Sequence, residues 1–202
     1  MTSKRYTTTL NTRPFLYNET KRIAELLYKG VDPKEIKERV EEQNLFQLAS
    51  KHRATGFNNV IQKRLKALDE ALLEFFLTSD TQTSKAILLY ALLKVDSLFY
   101  EWMREVVWDK FLILDVTLSK SETASFLARK SEQNETVQNW TEPTKRRLID
   151  AYHKTLIDSE MAVATGEELY LQTLIISPEV RNYLIENKEQ RIVEVMLGEV
   201  IQ

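Results

Sequence analysis

The sequence predicts an all-α, mainly helical protein: two helix-turn-helix or winged-helix-like lobes around a central helical core, with a short β-wing near 168–176. Three observations carry this. Apolar residues recur with a 3.6-residue rhythm along nearly the whole chain. Only 4 Gly and 4 Pro interrupt 202 residues, so few positions resist helix. Two segments, Asp32-Pro33-Lys34-Glu35 and Ser119-Lys120-Ser121-Glu122, have the spacing of a capping box, which marks a helix start.

Tyr6 to Phe15 reads as a polar, Thr-rich arm. A first helix is expected over Asn18 to Lys29, with Asn18 as N-cap and Gly30 as its stop. The second starts at Asp32 with Pro33 in the first helical position. It runs to about Gln43 and buries Ile36 and Val40. A third, longer helix follows Lys51, with a core stripe of Phe57, Val60, Ile61, Leu65 and Leu68 extending toward Leu72. These three form the layout of a helix-turn-helix domain.

Asp80 or Thr81 caps a helix burying Ile87, Leu88, Ala91 and Leu92. Asp96 begins another with Leu98, Phe99, Trp102, Val106 and Val107. Together these two form the central packing core. A second trio follows: a helix from Ser119, one or two turns between Asn134 and Trp140, and a helix from Thr141-Glu142-Pro143 to about Met161. Glu168 to Ile176 is rich in β-branched and aromatic residues; it is compatible with the short strand of a wing or with a helix, and the composition does not decide between them. Helices from Pro178 to Glu186 and across Arg191 to Leu197 close the chain. The expected domains are a basic helix-turn-helix-like unit, 1–78, and an acidic helical unit, 79–202, with a winged helix over 119–176.

Charge is uneven. Residues 1–66 hold 14 Lys and Arg against 7 Asp and Glu, a net of +7. The remainder holds 14 against 23, a net of −9, which together give the chain's −2. From Gln43 to Leu68 there is no acid in 26 positions. Such asymmetry points to a polyanion-facing region backed by an acidic one. At 100° per residue Asn59, Gln62, Lys63 and Lys66 turn away from the core stripe of the third helix. Cations and amides of this kind contact phosphates and base edges. The expected DNA-binding set is Lys51, Arg53, Asn58, Asn59, Gln62, Lys63, Arg64 and Lys66, with Lys145, Arg146 and Arg147 near the start of the equivalent helix in the second trio.

Other chemistries lack their residues. There is no Cys, so disulfides, thiolate sites and Cys nucleophiles are excluded. His52 and His153 are the only histidines, and neither has a metal-site spacing. His153, three residues after Asp150, fits a surface ion pair better than a catalytic dyad. Gly30, Gly56, Gly166 and Gly198 are isolated and make no phosphate loop. Trp102, Trp108 and Trp140 are expected to pack in cores. Met1 to Phe15 has no apolar signal segment. Ala86 to Tyr100 is interrupted by Lys94 and Asp96 and falls short of the ~20 residues that span a bilayer. A cytoplasmic, non-enzymatic protein is therefore expected, with no metal, cofactor, membrane or small-molecule substrate.

Tyr6 and Leu10, Glu19, Ile23-Ala24, Leu26-Leu27, Gly30, Glu35-Ile36, Val40, Glu42, Asn44-Leu45 and Arg64-Leu65 resemble the BrxA family. It is the small A component of bacterial BREX phage-defence systems. Phe126, Trp140, Thr144-Lys145 and Leu148 fit the second half of that family. The resemblance implies a non-catalytic, DNA-binding accessory protein, with the system's methyltransferase, ATPase and phosphatase-like protein as separate chains. The family has also been likened to an antitermination RNA-binding protein and labelled an inner-membrane protein; the absence of a spanning segment here argues against the second. The expected partners are double-stranded DNA and other BREX subunits. The alternatives are a scaffold whose acidic C-terminal part docks other defence subunits, and an RNA-binding adaptor.

Overall fold

The computed structural model describes residues 6–201; the expectation of no signal at Met1 to Arg5 falls outside them. After the arm and a short 3₁₀ turn, Thr9–Asn11, come α1 (Tyr17–Tyr28), α2 (Pro33–Glu42) and α3 (Lys51–Leu65). They pack on one another as a trihelical unit. Asp32 caps α2 by accepting from Lys34 N, with Pro33 in the first turn. Glu35 does not complete the box; its carboxylate pairs with Arg39 one turn on. Asn18 is not the cap of α1. The chain enters that helix through Leu16, at φ 56°, a left-handed conformation that costs a non-glycine residue roughly 1–2 kcal/mol.

The third helix is shorter than its periodicity suggested. α3 stops at Leu65, and Asp69 caps a separate α4 (Glu70–Thr78) by accepting from Leu72 N. The apolar rhythm continues across the break because both helices face the same core. α5 (Thr81–Val95), capped by Asp80, is the central helix, with an unbroken buried run from Ala86 to Leu93. Asp96 ends it and caps α6 (Ser97–Trp102). A π-helical turn, Met103–Val107, leads into α7 (Trp108–Leu112). The wider π turn carries Glu105, which with Glu101 receives Lys130 at 2.8 and 2.7 Å.

Ser119 and Glu122 form the reciprocal capping box of α8 (Lys120–Gln133). α9 (Glu135–Gln138) and α10 (Glu142–Asp158) complete the second trio. A hairpin of β2 (Ala162–Thr165) and β3 (Glu168–Leu171) follows, and β1 (Thr117–Leu118) pairs antiparallel with β3, giving the order β1-β3-β2. The sheet therefore reaches beyond the expected 168–176. β2 was hidden because Ala162 to Thr165 has only one side chain on the core side, so its alternation is weak. Gly166, at φ +63°, makes the hairpin turn, where glycine avoids the Cβ clash of positive φ. α11 (Pro178–Glu186) and α12 (Gln190–Leu197) close the chain, α12 packing on α5 and α7. Trp102 is fully buried; Trp108 and Trp140 pack half-buried against the core.

Candidate nucleic-acid interface

Ser50 caps α3 by accepting from Arg53 N, and Phe57, Ile61 and Leu65 anchor its inner face. The opposite face carries Asn59, Lys63 and Lys66, all exposed, with Gln62 half-exposed beside them. These positions are three and four residues apart, so they form one stripe. No carboxylate of the described residues lies within ion-pair distance of Lys63, Lys66 or Arg53; Lys51 instead pairs with Glu42 of α2. That bond is the main reason the Lys51 ammonium is held above its ordinary range.

Two of the expected contacts lie elsewhere. Arg64 is 1 % exposed. Its Nη1 donates to Pro14 O at 2.9 Å and Phe15 O at 2.8 Å, and its Nη2 donates to Arg13 O at 3.0 Å. Burial lowers its guanidinium to about 10, so it stays charged at neutral pH and clamps the arm onto α3. Asn58 is also buried, and its carbonyl oxygen accepts from Gln62 Nε2 at 3.3 Å. A solvated phosphate reaches neither side chain.

One residue at this face escaped the sequence reading. Arg13, at the end of the arm, lies across Gly56 with its guanidinium carbon 5.7 Å from the Phe57 ring centroid, while Arg53 approaches the same ring at 5.3 Å. A Cβ on Gly56 would sit 2.1 Å from Arg13 Nη2, so only glycine lets the arginine lie there. The signal was a lone glycine inside a helix, which costs about 1 kcal/mol relative to alanine and calls for a packing reason. The two guanidiniums put paired cations beside the start of α3.

The second basic site is thinner. Lys145 is half-buried and reaches Glu142 at 3.3 Å, while Arg146 and Arg147 are exposed with no acid at ion-pair distance among the described residues. The arm ties this helix to the first unit: Asn11 Nδ2 donates to Thr144 O at 3.1 Å, and Asn11 lies two residues before Arg13, in the segment that Arg64 clamps. His153 is not on the surface. It is 4 % exposed, its Nε2 is 2.9 Å from Thr123 Oγ1, and Asp150 pairs with Lys120 instead. Burial, and then Lys120, push its imidazole down to about 4, so it is neutral at physiological pH.

The hairpin is chemically different. From Thr155 to Val180 the chain has no Lys or Arg, and the paired Val163 and Tyr170 are exposed on one face. Among the described residues no cluster of three or more His, Cys, Asp or Glu could hold a metal ion, and no helix is long and apolar enough to cross a membrane.

The family model described as BrxA matches residues 4–188. The chain belongs to the BrxA family. A protein named "BREX protein BrxA" from Bacillus cereus is 34 % identical over 154 residues, covering 76 % of this chain and 77 % of that one. Another of the same name, from Paramagnetospirillum magneticum, is 26 % identical over 176 residues and 87 % of each. A crystal structure of an uncharacterized protein from Magnetospirillum magneticum superposes with a TM-score of 0.82 at 22 % identity, over 96 % of this chain and 100 % of that chain. At that identity the likeness speaks for the shared fold alone.

Proposed function

We propose that this chain is a non-catalytic, double-stranded DNA-binding component of a BREX system, acting in the cytoplasm beside the system's other subunits. The relatives' names supply the system. The DNA reading rests on one observation: the outward stripe of α3, the third helix of a trihelical unit, carries Asn59, Lys63 and Lys66 with no acid in ion-pair reach among the described residues. Cations on that helix neutralise phosphates, and the amides of Asn59 and Gln62 reach base edges or sugars. Lys51, Arg53 and Arg13 extend the contact at one end of α3, and Lys145, Arg146 and Arg147 form a second one. The two basic sites fall in the two units proposed at 1–78 and 79–202, joined across the arm by the Asn11 to Thr144 hydrogen bond.

The hairpin favours a second role. A wing without Lys or Arg gives a phosphate no cation, whereas exposed Val163, Tyr170 and Ile175 suit a protein surface. On this reading α3 and α10 face DNA while the wing faces another BREX subunit. A mobility-shift titration across salt concentrations, with duplex DNA and single-stranded RNA in parallel, tests the first role. Duplex DNA is expected to be retained more strongly, with affinity falling steeply as salt rises. Stronger retention of the RNA would favour the adaptor, and retention of neither would leave the scaffold.

A further inference from the structure

A cavity of about 240 Å³ lies between the arm, α3 and the junction of α5 with α6, lined by Thr7, Thr9, Leu10, Asn59, Val60, Lys63, Arg64, Leu92, Val95 and Asp96. Its aliphatic residues come from all three sides. Its polar groups are of both signs: the Asp96 carboxylate, 7 % exposed, and the Lys63 and Arg64 cations. Asp96 uses one oxygen to cap α6 through Phe99 N at 3.1 Å, and a carboxylate has lone pairs for more donors. Arg64 commits both Nη atoms to the arm, but its buried Nε has no partner. A buried polar atom left without a partner calls for an explanation.

We propose that this cavity binds a guanine base. Guanine is flat and carries N1–H and N2–H₂ donors along one edge, which match the carboxylate of Asp96. Its O6 and N7 are acceptors, which match the Lys63 ammonium at the same cavity. Adenine presents an acceptor where guanine has N1–H, and would set a lone pair against the carboxylate. The volume is below the roughly 300–1,000 Å³ of drug-sized pockets, so one ring system fits and a dinucleotide does not. The base comes either from a free nucleotide or from an unpaired guanosine of a nucleic acid; the recognition chemistry is the same. This site goes beyond the DNA reading and does not depend on it, although Asn59 and Lys63 line both, so an occupant would compete with duplex for them.

The test is calorimetric titration of the full chain, without duplex, with guanosine monophosphate, adenosine monophosphate, cytidine monophosphate and inorganic phosphate. The oligonucleotides TTGTT and TTATT form two further arms. At least a tenfold preference for the guanine member of either set is expected. Asp96→Asn should erase that preference while keeping the fold, because asparagine caps helices as well as aspartate. Thr7→Trp, on the half-exposed arm, should block the cavity and remove binding without touching Asp96. Binding of TTGTT alone would assign the base to a nucleic acid; binding of the monophosphate would assign it to a free nucleotide. Equal binding of guanine and adenine ligands, an unchanged preference in both variants, or no binding at millimolar concentration overturns the proposal. None of these outcomes bears on duplex binding, which is measured separately.

Discussion

Arg64 donates from Nη1 to the carbonyl of Phe15 at 2.8 Å, joining the last turn of α3 to the segment that leads into α1. Two more carbonyls, of Arg13 and Pro14, complete the clamp. Just beyond it Leu16 adopts its positive φ, so the arginine helps to hold the strained entry to the helix. Arg64→Met leaves three carbonyls short of a donor, each costing on the order of 1–3 kcal/mol when buried. We expect urea unfolding to register a loss of about 3–5 kcal/mol, the scale of breaking a buried charged network. Lysine should rescue little of this, since a point charge cannot reproduce the fork. In a variant that still folds, the salt slope of DNA binding should flatten by no more than the roughly one unit carried by Arg13, whose carbonyl the clamp holds, because Arg64 itself faces the arm.

Lys63 and Lys66 provide the opposite case. Both are exposed on the outer stripe of α3, and their replacement by alanine should leave the fold intact. If each neutralises one phosphate, the slope of log K against log salt flattens by about 0.9 per lysine. The double variant should therefore lose about two units of slope on every duplex sequence. Truncating Leu65 is the control: it should unfold the chain by ~2–5 kcal/mol through the cavity left behind. A folded double variant with an unchanged slope would mean that this stripe is only solvated surface.

Gly56→Ala offers a separable test of Arg13. Alanine favours helix over glycine by about 1 kcal/mol, and the displaced side chain gives up a cation–π contact of about 0.5–1 kcal/mol with Phe57. Stability measured by chemical denaturation should therefore move by less than about 1 kcal/mol. DNA binding should fall as in Arg13→Ala, by about one unit of salt slope. Combining the two substitutions should cost no more than either alone. Additive losses would show that Gly56 acts independently of the arginine.

Helix starts were legible because their caps are chemical signals. Asp32, Asp80, Asp96 and Ser119 all cap the helices expected of them. The break between α3 and α4 was not, since no glycine or proline marks it and one apolar face serves both helices. At the basic helix, composition identified the stretch but could not rank its members. Arg64 lies seven residues after Phe57 and three after Ile61, which puts it on the buried side. Its partners are backbone carbonyls some fifty residues away, and carbonyls leave no trace in a sequence. Arg13 was missed for a related reason: its position depends on the missing side chain of a glycine in another element. His153 shows the limit of local spacing, because the neighbour that mattered was Thr123 on α8, not Asp150 on its own helix.

The buried imidazole makes stability depend on pH in a defined window. His153 titrates near 4 in the folded chain, below its ordinary 6.5, first because burial disfavours the cation and second because Lys120 repels it. Between those values the unfolded chain binds a proton that the folded chain does not, so stability falls with falling pH there. The full benefit is present above about 6.5 and is lost by about 4. With about 1.4 kcal/mol for each tenfold shift, the drop from 6.5 to about 4 comes to roughly 3–3.5 kcal/mol. Replacement by glutamine keeps an amide that can meet Thr123 Oγ1, and removes the titration. Urea midpoints measured from pH 7 to 4 should therefore converge for the His153→Gln variant and the parent as the pH drops, over and above the slope both share from their carboxylates. Parallel curves would mean that the imidazole is accessible and ordinary, and that the packing of α8 against α10 around it is looser than its 4 % exposure implies.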